Sequence, residues 1–232
     1  GVPNVHFYGK EEEYFVLAMD LLGPSLEDLF NFCQRKFSLK TTLLIADQMI
    51  QRIENVHNFE FIHRDIKPEN MLVKGDTVKI ADFGLAREIR SRPPYTDYVS
   101  TRWYRAPEIW MKQRYTEKVD MWSVGCILHQ MLYGDVPGKT LPEIRKCVAH
   151  LPEDTTLDKL IKGLLKENST ERWDTTRALQ ELKTKCNYKI TPSEIKTDVP
   201  FTDQRQGFFM EFYSRFPEEH RCLSHGLMLF QT

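Results

Sequence analysis

The stretch HRDIKPENMLVKGDTVKIADFG, residues 63–84 of the 232-residue chain, combines a cluster of polar side chains with two β-rich runs. Its first eight positions include the polar side chains of His63, Arg64, Asp65, Lys67 and Asn70. Two β-rich runs follow on either side of Gly75-Asp76, a dipeptide that suits a two-residue hairpin turn. The stretch therefore predicts a polar loop that leads directly into a tight hairpin.

The predicted hairpin brings two candidate metal ligands to the same end. A two-residue turn pairs Asn70 with Ala81, so that Asp82 follows immediately beside this pair. The rest of the register pairs Lys74 with Thr77, Val73 with Val78 and Met71 with Ile80. An amide oxygen and a carboxylate suit a hard cation such as Mg²⁺, which completes its shell with water and phosphate oxygens. We therefore predict that Asn70 and Asp82 hold magnesium.

The loop before the hairpin adds the other groups that phosphoryl transfer requires. Asp65 precedes Asn70 on this loop and can accept a proton from a hydroxyl that is aligned with a phosphate. Lys67 can neutralise the charge that grows on the transferred group. The sequence thus predicts a phosphoryl-transfer site.

Three motifs occur in order along the chain: HRDIKPEN (63–70), DFG (82–84) and APE (106–108). This ordered set resembles the catalytic loop, the magnesium-binding motif and the end of the activation segment of eukaryotic protein kinases. The resemblance implies ATP and Mg²⁺ as cofactors, and protein substrates that carry Ser or Thr hydroxyls. It also implies that Asp65 is the catalytic base and that Lys67 contacts the γ-phosphate. Asn70 and Asp82 are the metal ligands in this assignment.

The same resemblance implies structural roles for three further residues. Asp120, in DMWSVG, resembles the buried carboxylate that supports the catalytic loop from below. Glu108 and Arg172 resemble the pair that locks the APE segment to the large lobe. A simple surface pairing stays the alternative for Arg172.

Hydrophobic periodicity predicts the elements around the site. Two short strands are expected at 5–9 and 14–19, separated by the charged turn KEEE (10–13). Helices are expected at four places: after the N-cap Ser25, after the N-cap Ser38, over 117–132, and over 175–186 after the N-cap Asp174. An aromatic segment, 208–216, is expected to form a last helix.

These elements and the resemblance together predict an α+β, protein-kinase-like fold with a mainly α-helical large lobe. Residues 1–22 are expected to form a remnant of the N-terminal lobe, with two β-strands and the hinge. Residues 23–186 are expected to form the C-terminal lobe, and 187–232 an extension of unassigned role. Apolar surface is expected to be exposed around the hinge.

Two parts of the chain resemble different kinase subfamilies. The stretch from Met19 through the following helices resembles casein kinase 1. This resemblance implies that Met19 is the gatekeeper, that Asp20 to Leu22 form the adenine-binding hinge, and that Leu72 lies under the purine. Adenine is expected to bond to the hinge backbone, so that the side chains there need only be apolar and of the right size.

The stretch YTDYVSTRWYRAPE (95–108) instead resembles the MAP-kinase-related branch, in particular kinases like the male-germ-cell-associated kinase. Thr96 and Tyr98 lie two residues apart and would face the same side of an extended segment. A phosphate on each would recruit arginines and order the segment, which implies an upstream activating kinase. The chain therefore looks like a mosaic, either a divergent lineage or a recombined or designed sequence.

Other parts of the kinase pattern are missing from this sequence. No GxGxxG stretch exists, and the only lysine before the hinge is Lys10, which we expect in the KEEE turn. Either the displayed chain has lost its N-terminal lobe through truncation or a gene-model error, or it is a lobe-deficient protein that would be inactive. The first function we predict is a Ser/Thr protein kinase. The alternative is a catalytically silent, kinase-like binding module.

Composition limits the other function classes. The formal net charge of −1 and the pI near 6.7 give no polycationic field, so we expect neither nucleic acid nor an acidic membrane as a partner. The five cysteines are scattered and odd in number, which indicates a reducing compartment. We expect a cytoplasmic protein, with nuclear entry left open, because the sequence shows neither a secretory signal nor a membrane span.

Overall fold

The helical lobe is built around one buried helix, α4 (Lys118–Tyr133), as its nearly uniform apolar sequence predicts. The structure, a computed structural model, describes residues 1–12, 14–89, 102–185 and 227–231. Every residue of α4 from Val119 to Met131 is buried. Helices α2 (Leu39–Asn58) and α6 (Thr156–Leu164) pack against α4, and α7 (Thr175–Lys185) packs on both of them.

Shorter helices complete this lobe, and the predicted N-caps are confirmed. The remaining helices are α1 (Leu26–Phe32), α3 (Pro107–Trp110), α5 (Leu141–His150) and two 3₁₀ turns, Pro68–Asn70 and Arg102–Tyr104. Ser25 forms a capping box at the start of α1, in which its Oγ accepts the backbone N–H of Asp28 at 3.1 Å. Ser38 caps α2, and Asp174 accepts the backbone N–H of Arg177 at 2.8 Å at the start of α7.

The small sheet begins with the predicted antiparallel hairpin of β1 (Val5–Glu11) and β2 (Tyr14–Met19). The expected position of Lys10 in a turn is wrong, because β1 continues to Glu11 and Lys10 pairs with Phe15. Glu11 pairs with Tyr14, which leaves only two residues between the strands. The first two residues of the charged run, Lys10 and Glu11, therefore belong to the strand, with their side chains exposed.

A third strand, β7 (Leu227–Gln231), lies antiparallel to β2 and gives the sheet order β1-β2-β7. The register runs from Tyr14 opposite Gln231 to Ala18 opposite Leu227. The sequence predicts only two strands here, because nothing local links β2 to a segment more than 200 residues away. The predicted helix at 208–216 lies outside the described residues.

Large apolar side chains are exposed on this sheet and at the hinge, as predicted. They are Val5, Phe7, Tyr8, Tyr14, Phe15 and Leu21. The rings of Tyr8 and Phe15 stack on one face of the hairpin, with centroids 6.1 Å apart.

The hairpin that follows the polar loop 63–70 has the predicted register. Strands β4 (Met71–Lys74) and β5 (Thr77–Ile80) pair from Lys74 opposite Thr77 to Met71 opposite Ile80. The turn requires glycine at position 75, where φ is +66°. Strands β3 (Phe61–Ile62) and β6 (Arg87–Glu88) pair with each other, and residues 63–86 connect them. Within the described ranges, none of the helices combines the length and the apolarity that crossing a bilayer requires.

Candidate active site

Asp65 is held in place through one carboxylate oxygen, while the other is left unpaired. Its Oδ2 accepts hydrogen bonds from Lys67 Nζ at 2.8 Å and from Asn70 Nδ2 at 3.0 Å. Its Oδ1 is buried and has no hydrogen-bond partner among the described residues. A buried carboxylate oxygen without a donor is unfavourable by itself, so this atom is an acceptor that a bound hydroxyl can satisfy.

Lys67 supplies a positive charge beside the Asp65 carboxylate. Burial alone would lower the pKa of the Lys67 ammonium group. The hydrogen bond and charge of Asp65, together with the charges of Glu69 and Asp82, raise that pKa overall above its ordinary value. Lys67 is therefore cationic at neutral pH and lies beside the carboxylate that would take up a proton.

Asn70 and Asp82 each keep an oxygen available for a cation. Asn70 spends both amide hydrogens on Asp65, donating to its backbone O at 2.9 Å and to its Oδ2. No described residue donates to Asn70 Oδ1. Asp82 is exposed, and among the described residues only the N–H of Gly84 donates to its carboxylate, to Oδ1 at 3.2 Å. The backbone bond from Ala81 N–H to Asn70 O, 2.9 Å long, joins the two positions as predicted.

This donor set fits Mg²⁺. One amide oxygen and one carboxylate are hard ligands, and magnesium prefers few protein ligands together with water and phosphate oxygens. Among the described residues no cluster of three or more His, Cys, Asp and Glu side chains offers a closed, all-protein metal site. The residues therefore suit a metal that arrives with a phosphate ligand.

Two residues of the site have a backbone conformation that non-glycine residues disfavour. Arg64 has φ +68° and Asp82 has φ +61°. Such positions persist only where their surroundings hold them in place. At Arg64 the support is direct, because its N–H donates to Asp120 Oδ1 at 2.8 Å.

Asp120 supports the catalytic loop from α4, in the manner that the resemblance implies. It is 1% exposed and accepts the N–H groups of His63 and Arg64 and a hydrogen bond from His57 Nε2. Burial opposes its ionisation, but the hydrogen bonds from His57 and from the backbone N–H of His63 lower the pKa of Asp120 below its ordinary value. The fully buried carboxylate is therefore ionised and fixes the loop backbone.

His63 is neutral and serves as a spacer between the loop and the DFG segment. Its Nε2 lies 3.1 Å from the carbonyl O of Ala81, so Nε2 carries the proton, and Nδ1 accepts the N–H of Asp65 at 3.3 Å. Burial lowers the pKa of His63, against the opposing charges of Asp120, Asp65 and Asp82. Its ring meets that of Phe83 edge-on, with centroids 4.8 Å apart.

The hinge lies against the β4–β5 hairpin. Gly23 N–H donates to Val73 O at 2.8 Å, and Val73 N–H donates to Pro24 O at 2.9 Å. An isolated bridge between Ser25 and Leu72 adjoins these bonds. Met19, Asp20 and Leu22 are partly buried, as is Leu72. The structure thus places the segment that follows Leu22 directly beside the strand that carries Leu72.

Asp20 links the hinge to β5 through contacts that sequence reasoning missed. Its carboxylate accepts hydrogen bonds from Asn4 N–H and Asn4 Nδ2, from His6 Nε2 and from Lys79 Nζ, all between 3.0 and 3.1 Å. The backbone hydrogen bond from Asn4 and the bond from Lys79 lower the pKa of Asp20 well below its usual range. Lys79 precedes Asp82 by three residues, so this ion pair connects the hinge to the strand that leads to Asp82.

Glu108 and Arg172 form the predicted pair, and it is buried rather than on the surface. Arg172 NH1 and NH2 bond to Glu108 Oε1 and Oε2 at 2.6 and 2.9 Å. Arg172 is 1% exposed and Glu108 is 4% exposed. The guanidinium group also stacks over the ring of Trp122 in α4, with its carbon 5.0 Å from the centroid. The APE segment is therefore fixed to the core of the lobe.

The activation segment is described only at its two ends. Thr96 and Tyr98 lie outside the described residues, so their predicted role stays a prediction. At the C-terminal end, Tyr104 O accepts Ser123 Oγ and Tyr104 OH donates to Gln130, each at 2.8 Å. Burial raises the pKa of the Tyr104 hydroxyl, which therefore stays protonated as a donor.

Several residues that support the site carry no local signal in the sequence. Arg64 Nε donates to Leu85 O at 2.6 Å and its NH1 donates to Tyr115 OH at 2.9 Å, although Tyr115 is 51 positions away. His57 likewise reaches Asp120 across 63 positions. Only the fold brings these partners together, so composition and spacing could not identify them.

The site so described brings together a carboxylate (Asp65), a neighbouring cation (Lys67) and two residues with available oxygens (Asn70 and Asp82) at the end of one hairpin, the groups that the sequence predicts for phosphoryl transfer. A family model described as "Protein kinase domain" matches residues 4–182. The chain therefore belongs to the protein kinase family, and its α+β fold with a small N-terminal sheet is the kinase fold. Family membership implies ATP as a substrate and supports phosphotransferase activity on proteins.

Proposed function

We propose that the protein is a serine/threonine kinase that transfers the γ-phosphate of ATP to protein hydroxyls, with Mg²⁺ bound by Asn70 and Asp82. The observation that carries this proposal is the buried, unpartnered Oδ1 of Asp65, next to an oxygen that Lys67 and Asn70 hold in place. A binding scaffold would gain nothing from a buried carboxylate oxygen that lacks a hydrogen-bond donor.

The geometry supports a definite division of roles. Asp65 Oδ1 accepts the proton of the substrate hydroxyl while the hydroxyl oxygen attacks the γ-phosphorus of ATP. The bond between the γ-phosphorus and the departing ADP oxygen breaks. Lys67 neutralises negative charge on the transferred group, and its bond to Asp65 orients the carboxylate. Asp120 fixes the loop backbone through the N–H groups of His63 and Arg64. Bound magnesium would supply charge neutralisation at the phosphates.

Removal of the Asp82 carboxylate tests the metal site. In Asp82→Ala we expect magnesium-dependent binding of ATP to fall by about tenfold or more, because one of two protein ligands is lost. Isothermal titration calorimetry with ATP, with and without Mg²⁺, measures this. The matched control is Asp76→Ala, an exposed carboxylate in the turn of the same hairpin. Equal magnesium dependence in wild type and Asp82→Ala would remove Asp82 from the site.

The ion pair between Lys79 and Asp20 gives a second test, of the hinge. Lys79→Met removes the only lysine that bonds to Asp20 among the described residues, and we expect it to weaken binding of ATP severalfold. The reason is that the hinge loses one of its links to β5, the strand that leads to Asp82. Lys74→Met, an exposed lysine on the partner strand, is the control for loss of charge. Identical dissociation constants for the two variants would show that the pair does not position the hinge.

The choice of Ser and Thr as acceptors rests on the resemblance to casein kinase 1 and to the MAP-kinase-related branch. Within that branch the TRWYRAPE loop (101–108) favours proline after the phosphoacceptor, whereas acidic or pre-phosphorylated sites are the casein-kinase alternative. A positional peptide library separates the two preferences. Phosphorylation of tyrosine peptides alone would contradict both.

Phosphorylation of Thr96 and Tyr98 is our proposal for activation by an upstream kinase. Each phosphate can form one to three charge-assisted hydrogen bonds with arginines and so order the segment. We expect Thr96→Ala combined with Tyr98→Phe to reduce turnover of a peptide substrate about tenfold in phosphorylated enzyme. Tyr95→Phe, the neighbouring tyrosine, is the control. Unchanged turnover in the double variant means that the segment is not a phosphorylation switch.

A second candidate function is a kinase-like binding module without catalysis, and the position of Lys10 bears on it. This lysine, the only one before the hinge, pairs with Phe15, whereas the hinge end of the sheet is the pair of Val5 and Met19. Lys10 therefore lies at the far end of the hairpin and cannot serve as the strand lysine that kinases use for the α- and β-phosphates. ATP binding without phosphate transfer to any peptide of the library would favour this module.

A further inference from the structure

Helices α4 and α5 hold a cysteine–histidine pair that does not belong to the candidate active site. Cys147 Sγ lies 3.1 Å from His129 Nε2, within hydrogen-bond reach for sulfur. Cys147 is half-buried on α5, and His129 is 7% exposed on α4. Part of Cys147 is therefore exposed to solvent, whereas its histidine partner is buried.

A third group fixes the orientation of the imidazole. His129 Nδ1 lies 2.7 Å from the backbone O of Asp135. A carbonyl oxygen only accepts hydrogen bonds, so Nδ1 carries the proton and Nε2 of the neutral ring carries a lone pair. This lone pair faces the thiol, and the Cys147 S–H donates to it.

The groups around the pair keep it neutral at rest. The ring of Tyr133 packs beside His129 with centroids 4.8 Å apart, and its hydroxyl donates to Asp158 of α6. Burial lowers the pKa of His129 against the hydrogen bond and charge of Asp135, and burial raises the pKa of the Cys147 thiol. The resting pair is therefore a thiol and a free base, as in enzymes that activate a hydroxyl nucleophile.

We propose that Cys147 is a reactive thiol, that His129 is its base, and that the pair takes small disulfides such as glutathione disulfide to form a reversible mixed disulfide. The geometry has the three parts that an activated nucleophile requires: a nucleophile, a base in contact with it, and a group that orients the base. This modification site is separate from the proposed kinase function and does not depend on it.

The reaction is an exchange of sulfur partners. The Cys147 sulfur attacks one sulfur of the disulfide while its proton passes to His129 Nε2. A new sulfur–sulfur bond forms, the bond within the small disulfide breaks, and the departing thiolate takes the proton from His129. Cys147 is oxidised, half of the small disulfide is reduced to a thiol, and no other reagent is consumed.

The rate of this exchange at each cysteine tests the proposal. The full chain is incubated with glutathione disulfide, and peptides that contain Cys147 or Cys33 are quantified by mass spectrometry. Cys33 is the internal reference because it is also half-buried. We expect Cys147 to react about tenfold faster than Cys33, because general-base assistance is worth a factor of this size or more. Equal rates at the two cysteines would overturn the proposal.

The pH profile and one variant separate base assistance from simple exposure. A thiol that reacts only as free thiolate becomes about tenfold faster per pH unit below its pKa near 8.5. With His129 as base, the rate at Cys147 is instead expected to stay flat between about pH 7 and 8. His129→Asn keeps a donor for Asp135 O and lacks the base, so its rate at Cys147 should fall to that of Cys33. If this variant does not fold, the pH profile of the wild type is the test. A tenfold rise in the rate at Cys147 between about pH 7 and 8 would exclude His129 as the base.

Discussion

Replacement of Asp65 by asparagine is expected to reduce the turnover of a protein substrate by about 10²–10⁴-fold, the range that a positioned general base contributes. Asparagine keeps an oxygen that can accept from Asn70 Nδ2, so the loop should stay folded. It cannot take up the hydroxyl proton at neutral pH. Phosphate transfer from labelled ATP to a peptide measures the effect.

Binding of magnesium and ATP distinguishes loss of the base from loss of the site. In Asp65→Asn we expect the dissociation constant for ATP to change little, whereas Asp82→Ala should weaken magnesium-dependent binding. Asp76→Asn removes an exposed carboxylate from the same hairpin and should leave turnover unchanged. A turnover in Asp65→Asn within twofold of the wild type would mean that another group accepts the proton.

The second large effect is expected on stability, in Arg172→Met. This substitution leaves the Glu108 carboxylate buried without its partner, and removal of one member of a buried ion pair typically costs about 3–5 kcal/mol. The loss is severe because Arg172 NH1 and NH2 also bond to the carbonyl oxygens of Lys118 and Glu167. Urea unfolding with linear extrapolation measures the free energy of unfolding.

Two further variants separate the ion pair from general effects of removing an arginine. Arg177 is exposed on α7, with its guanidinium carbon 5.4 Å from the ring centroid of Trp173, and Arg177→Met should change stability by less than about 0.5 kcal/mol. Combining Arg172→Met with Glu108→Gln removes the unpaired charge and should recover part of the loss. A double variant as unstable as the sum of the single ones would show that the two residues are not coupled.

The parts of the fold that the sequence predicted are those set by local chemistry. The turn at Gly75-Asp76 fixes the register of its own hairpin, and that register delivers Asn70 beside Ala81. Helix starts follow from a single side chain within three residues of the N–H that it accepts, as at Ser25. Both are short-range effects, so the alternation and capping rules suffice.

The parts that could not be predicted depend on pairings between distant segments. Nothing near β2 indicates that residues 227–231 lie beside it, and nothing near Asp20 indicates Lys79 as its partner. Four charged residues in a row, such as KEEE (10–13), usually mark a turn, whereas the pairing of Lys10 with Phe15 extends the strand. The resemblance supplied the pair of Glu108 and Arg172, and only the structure shows that it is buried.

The left-handed backbone at Asp82 sets stability and chemistry against each other at one position. Glycine adopts φ +61° without strain, so Asp82→Gly would remove a backbone strain energy of the order of 1 kcal/mol. The exposed Asp82 side chain accepts one hydrogen bond, 3.2 Å long, from the described part of the chain, so its loss removes little stabilisation. Laboratory evolution of this chain for heat resistance alone is therefore expected to enrich glycine at residue 82. The selected variants would be more thermostable but would lack the carboxylate, so position 82 is a site of trade-off between thermal stability and activity.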